Sequence, residues 1–261
     1  MSLQPNIKSV PPETMALGDP QAEYHSASMV ITGFGAIGLG IVLSLILFAM
    51  IKTGIYVVGF SLIVLALYLG PLLIPVGIFM VIAGVIQGGK RVLVFKDGIA
   101  EVTRNKTTVM RWDDVDSVLQ KVTSRRNRSG KETGRSYRYT VRDKAGQSLI
   151  LSGTYKNIET LGNTIQTEVS KRLLPKYTGT YNSGGKVDFG QVSVSKAGLS
   201  NGSKTIAWSD IEQVALNQGQ WVVRQKGQWQ SLTTQTAAQT PNLPVMLNLI
   251  NQTVSENKPK S

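Results

Sequence analysis

Between Ser26 and Gly89 the chain carries one charged residue, Lys52. No water-exposed domain surface is built from 64 residues with a single charge, so this stretch is expected in a bilayer. Met29 to Ile51 is an apolar run of spanning length, since a hydrocarbon core needs ~20 helical residues. Gly54 to Gln87 is a second run, too long for one upright span and too short for two full spans with a turn. We read it as one helix over about 60–87, entered from the interface, with Gly70-Pro71 and Pro75 producing a kink. Two short half-spans are the alternative, and they would carry the C-terminus to the other side.

The first run contains Gly33-Phe34-Gly35-Ala36-Ile37-Gly38, a literal match to the dinucleotide-binding fingerprint. That fingerprint works only in a strand-helix-strand unit, with an acidic residue ~20 positions on to hold the ribose. Here no Asp or Glu stands between Glu23 and Asp97. No cofactor is expected. Gly33, Ala36 and Gly40, with Gly35 and Gly38, instead read as a helix-packing face on which backbones approach closely.

Charge sets the orientation. Residues 1–89 hold two basic against three acidic side chains, residues 90–174 hold 18 against 9, and residues 175–261 hold 8 against 4. The basic excess starts at Lys90-Arg91 and Lys96, so these flanks should face the cytoplasm of a multi-pass inner-membrane protein. A tight turn near Lys52-Thr53-Gly54 would then be outside. The polar residues 1–28 lack the basic start and cleavage site of a secretory signal, and the first helix is expected to stay as an uncleaved anchor.

There is no cysteine and one histidine, His25. Disulfides, thiolate metal sites and cysteine nucleophiles are therefore excluded, and a His-based metal site or Ser-His-Asp triad has no second partner. No catalytic or metal-binding residue is assigned. Asp113, Asp114 and Asp116 lack the spacing and glycine of a calcium loop.

After Gly89 the pattern changes to alternation, and one phrase is written twice. Asp97-Gly98-Ile99, followed by Arg111-Trp112-Asp113-Asp114-Val115, returns as Ala197-Gly198-Leu199 and Ala207-Trp208-Ser209-Asp210-Ile211. A phrase repeated at this distance marks one supersecondary plan used twice. In the first copy Val92, Val94, Ile99, Val102, Val115, Val118, Tyr137, Tyr139, Val141, Leu149 and Leu151 read as short strands. A helix follows through Ile158, Leu161, Ile165, Val169 and Leu173, capped by Thr154 or Asn157 and stopped at Pro175. In the second, Val187, Phe189, Val192, Val194, Ile211, Val214 and Leu216 read as strands. Trp221-Val222-Val223 and Trp229 to Leu232 form a hairpin through Lys226-Gly227. A last helix over about Asn242 to Val254 places Leu243, Met246, Leu247, Ile250 and Val254 on one face. The division is 1–28 arm, 29–89 membrane hairpin (about 29–51 and 60–87), 90–174 first module, 175–255 second module and 256–261 tail.

Antiparallel strands closed by a C-terminal helix, with Trp-Asp-Asp-Val or Trp-Ser-Asp-Ile opening a strand, resemble the bacterial pleckstrin-homology-like (PH-like) domains found after a pair of membrane helices. The run Val94 to Val122, Tyr137 to Val141 and Lys186 to Gly190 is similar to an uncharacterised bacterial family with two transmembrane helices and tandem PH-like domains. This resemblance covers roughly residues 28–255, and it implies two α+β PH-like modules behind a membrane α-helical hairpin. Its motifs are structural and name no chemistry.

Trp112 and Trp208 are expected to close the two barrels, with the Asp114 and Asp210 carboxylates holding local backbone N–H groups. The candidate contact residues lie between two strands of the first copy: Arg125, Arg126, Arg128, Lys131 and Arg135, against one acid, Glu132. Near an anionic leaflet each such cation contributes ~1 kcal/mol. The second copy has only Asn217 to Gln220 there. Nucleic acid would use the same charge with Tyr137 and Tyr139, but a membrane tether and strand-alternating tyrosines argue against it. A transporter or enzyme component would need more polar groups in the bilayer than Lys52, Ser44, Ser61, Tyr56 and Tyr68. The sequence thus points to a non-enzymatic membrane-anchored adaptor for anionic lipid or protein. An accessory subunit of a larger membrane complex is the alternative.

Overall fold

The computed structural model describes residues 10–27, 30–53, 60–202, 204–217, 219–227 and 231–256. The chain forms two compact units, one of residues His25–Arg91 and one built from the chain on either side of it.

The first unit is a helical hairpin. Helix α1 spans Val30–Thr53 and α2 spans Phe60–Gln87, a single helix running through both Pro71 and Pro75. Both contain a segment long and apolar enough to cross a membrane. The helices run antiparallel on glycine contacts: a Cβ on Gly33 would lie 2.9 Å from the Gly77 carbonyl oxygen, and one on Gly40 would lie 2.9 Å from that of Gly70. Lys52 and Thr53 are the last residues of α1, and Gly54 lies outside the described residues.

Among the described residues the second unit holds four sheets. Strands β1 (Pro20–His25), β2 (Arg91–Phe95), β3 (Gly98–Val102) and β4 (Thr107–Arg111) make one sheet in that order. The strands β5 (Val115–Arg126), β6 (Glu132–Asp143) and β7 (Ser148–Ser152) make a three-stranded antiparallel sheet, followed by α3 (Ile158–Asn182). The plan then repeats. Strands β8 (Val187–Phe189), β9 (Val192–Ser195), β10 (Gly198–Asn201) and β11 (Lys204–Ile206) form a second four-stranded sheet, while β12 (Ile211–Asn217), β13 (Gln220–Gln225) and β14 (Ser231–Thr236) form a second three-stranded one. Helix α4 (Leu243–Glu256) follows β14. Trp229 and Gln230 of the expected hairpin, and residues 257–261 of the expected tail, lie outside the described residues.

Residues 1–28 are more than a polar arm, because β1 belongs to the first module's sheet. The helical hairpin is therefore an insertion between β1 and β2. In the second copy the same connection, between β8 and β9, is only Gly190-Gln191. At the base of the insertion the Ser26 N–H donates to the Lys90 carbonyl at 2.9 Å. Ahead of β1, a turn of tight helix at Pro12–Leu17 buries Leu17 against Leu93, Phe95 and Ala100. This explains why β2 is buried on both faces, where a half-solvated strand would alternate.

The modules are also not separate bodies. One continuous core contains Val94, Trp112, Tyr139 and Ile165 of the first copy and Phe189, Trp208, Trp221 and Ile250 of the second. Pro175 does not stop α3, which continues to Asn182. Proline's φ suits a helix, and the cost is one missing hydrogen bond together with a clash between its ring and the preceding turn. Tertiary burial offsets that cost: Tyr177 packs edge-on to Phe189 at 5.4 Å, and Tyr181 is buried under the Lys196 ammonium, 4.1 Å above its ring. Asn157 precedes α3 in a left-handed conformation, and neither its side chain nor that of Thr154 caps the helix.

Candidate functional site

The repeated phrase marks the same construction in each module. The Trp112 indole N–H donates to the Phe95 carbonyl at 3.2 Å, and the Trp208 indole N–H to the Ser195 carbonyl at 2.8 Å. Both acceptors stand three residues before the phrase's glycine. Those glycines are places where chains meet, since a Cβ on Gly98 would strike Leu17 and the Met110 carbonyl, and one on Gly198 the Ile206 carbonyl. The aspartates act differently from expectation. It is the Asp114 and Asp210 carbonyls that accept, from the N–H groups of Lys144 and Lys226 at 2.9 and 2.8 Å, while the residues themselves are exposed. Asp113 pairs with Arg172 of α3 at 3.1 Å, and no group of three metal-ligating side chains occurs among the described residues.

The copies differ most in the β5–β6 hairpin. Its strands are 12 residues each, against 7 and 6 in β12 and β13. The third strand, β7, pairs only with Arg138–Arg142, so the rest of the hairpin projects as a two-stranded ribbon. Its turn is organised by Asn127, whose Oδ1 accepts from the Lys131 N–H at 2.9 Å and from Ser129 Oγ at 2.7 Å, while Gly130 takes φ 78°.

All five candidate cations are exposed on this ribbon. Arg125 is opposite Gly134, Arg126 is opposite Glu132, and Arg128 and Lys131 lie between the strands. Arg135 differs, for its guanidinium forms an ion pair with Glu132, which raises its pKa further. The structure thus brings the five together and neutralises one of them.

Behind the ribbon the inner face is occupied. Tyr137 and Tyr139 stack with parallel rings at 6.4 Å, and Gly162 of α3 is so close to Tyr139 that a Cβ there would overlap its ring. The Tyr139 hydroxyl accepts from Gln120, whose Oε1 accepts from Gln166 at 2.9 Å. Burial pushes the Tyr137 phenol up, with Glu159 beside it adding to the shift. Tyr155 bonds Glu101 and is pushed higher still, first by burial and then by that bond.

On the helical hairpin, Gly33 and Gly40 pack against α2 and Ala36 is half-buried. Gly35 and Gly38 do not join them, since nothing stands within 4 Å of a Cβ at either. The residues that complete the contact come from the second helix, Gly70 and Gly77. Their spacing of seven matches that of Gly33 and Gly40, a signal the sequence already carried.

Asn242 and Gly162 carry no signal in the sequence, nor do Lys121 and Arg138 on the other face of the β5–β6 pair. A strand register is needed to see the last two.

Fold and surface together define a duplicated sheet-and-helix protein, with an apolar helical hairpin inserted in its first copy. The chain belongs to the family of unknown function DUF6585, whose model matches residues 7–259. No curated protein and no solved structure matches it.

Proposed function

We propose that the protein is a non-enzymatic, membrane-anchored adaptor, its helical hairpin crossing the cytoplasmic membrane and its two PH-like modules meeting anionic lipid or an acidic protein at the cytoplasmic face. The PH-like reading is supported by the plan of four strands, three strands and a helix, used twice. The observation that carries the functional reading is that one module holds both the inserted apolar hairpin and the projecting basic ribbon. At ~1 kcal/mol for each cation near an anionic leaflet, four uncompensated cations are enough to hold a ribbon that is already tethered.

Hydrogen exchange on the full chain in nanodiscs tests this. Amides of Val122–Tyr137 should exchange more slowly in discs containing phosphatidylglycerol than in phosphatidylcholine discs. Equal exchange in both removes the lipid reading.

A second reading, an accessory subunit of a larger membrane complex, is favoured by the open Gly35 and Gly38 edge of α1, flanked by exposed Ile31 and Phe34. Extraction in mild detergent separates the two, because a chain that always runs as a monomer excludes the subunit.

A further inference from the structure

We infer that the outer face of the β5–β6 sheet, centred on Lys121 and Arg138, is the surface that lies on an anionic bilayer. This rests on the membrane reading above and moves the contact from the hairpin turn to the sheet face, keeping Arg125 alone of the five loop cations.

Register separates the cations by face. Val118, Gln120, Val122 and Ser124 stand opposite Val141, Tyr139, Tyr137 and Arg135, and this face turns to the core and α3. Directly opposed residues share a face and neighbours alternate. Lys121 and Arg138 therefore share the other face, with Arg142 at one end and Arg125 at the other. Arg135, tied to Glu132, belongs to the inner face.

Three properties make the outer face a contact surface. Lys121 and Arg138 are directly opposite each other, a like-charge pairing that destabilises a sheet unless an anion lies across it. No carboxylate stands directly opposite any of the four cations in β5, β6 or β7, Asp116 lying in the bulge before Ser117, and none of the four has an ion-pair partner among the described residues. The row is also long. Arg142 and Arg125 each lie four residues from the central pair, about 13 Å away at ~3.3 Å per residue. Such a row suits a plane of headgroups better than a single small anion. Ile150, 58% exposed on the same face beside Thr140, adds an apolar side chain able to enter that plane. In the second module the corresponding face carries one cation, Arg224, among the described residues.

Because the chain has no cysteine, single labels can be placed without background. A fluorophore on Ser136→Cys reports the outer face, and one on Ser129→Cys reports the turn. The full chain is reconstituted in phosphatidylcholine discs and in discs containing phosphatidylglycerol, and an aqueous quencher is added. We expect quenching at position 136 to fall several-fold in anionic discs and to return at high salt, with position 129 changing little. Lys121→Gln, Arg138→Gln and Arg142→Gln together should abolish the shielding without lowering the melting temperature, since they relieve a like-charge pair. Shielding of 129 with 136 open would overturn the face and keep the membrane reading. Both open in anionic discs would overturn face and membrane reading together. Shielding of 136 only by added single-stranded DNA would assign the face to nucleic acid.

Discussion

Asn242 and Val118, 124 residues apart, are joined like neighbouring strands: the Asn242 N–H donates to the Val118 carbonyl and the Val118 N–H donates to Asn242 Oδ1, both at 2.9 Å. Asn242 Nδ2 also donates to the Asp116 carbonyl at 2.9 Å, and the residue is buried at φ 51°. One side chain thus covers the edge of β5 and fastens the second module to the first.

Asn242→Ala should therefore destabilise the protein by about 3 kcal/mol, because it orphans the buried Val118 N–H and strains a left-handed position. Asn242→Gly keeps the backbone and loses only the side-chain bonds, so its cost should be smaller. Urea unfolding followed by tryptophan fluorescence checks both. With a shared core the transition should remain single, and two separate transitions would show that the modules fold independently.

Gly162→Ala should cost about 1–3 kcal/mol through the clash with Tyr139. Asn163→Ala, at the next and exposed position, should be neutral. Thermal melting of the two variants side by side separates the clash from any general effect on α3.

Gly77→Leu should loosen the helical hairpin, whereas Gly38→Leu should not. A Cβ at Gly77 meets Ile37 and the Gly33 carbonyl, while one at Gly38 meets nothing. Heating in mild detergent with circular dichroism detection should lower the midpoint for the first variant alone.

Burial would raise the Glu168 pKa, but hydrogen bonds and charge from Lys171 and Arg172 outweigh it and hold the carboxyl below its ordinary value. A depressed folded pKa gives stability that is present above the unfolded value, ~4.3, and is lost as pH falls through the folded one. Glu168→Gln should therefore lower stability at neutral pH and flatten its decline in acid. Urea midpoints across that range measure the effect.

Replacing residues 27–89 by a Gly-Gln turn, as at Gly190-Gln191, should yield a soluble protein with a nearly unchanged urea midpoint. A fragment of residues 90–261 should be weaker, having lost β1 and the burial of Leu17, the latter alone worth about 1.5–3 kcal/mol.

These expectations show what sequence could and could not carry. The apolar stretch and the doubled tryptophan phrase were readable because hydropathy and spacing are local signals. Strand β1 was not, since its sheet partner lies beyond the whole helical hairpin and six residues of mixed polarity do not announce a strand. Asn242 and Gly162 matter through groups 124 and 23 residues away in sequence, where periodicity says nothing. Pro175 misled because tertiary burial of Tyr177 and Tyr181 outweighs a local breaker. The basic loop was visible as composition, but only the β5–β6 register divides its cations between two faces.

Membrane anchoring with the modules on the cytoplasmic side is the claim on which the functional account stands. Single-cysteine Ser129→Cys protein can be treated with a membrane-impermeant maleimide in right-side-out and inside-out vesicles of the expressing membrane. The account requires labelling in inside-out vesicles and protection in right-side-out ones, with the protein retained in the membrane after alkaline carbonate washing. Labelling in right-side-out vesicles, or release by carbonate, would contradict it.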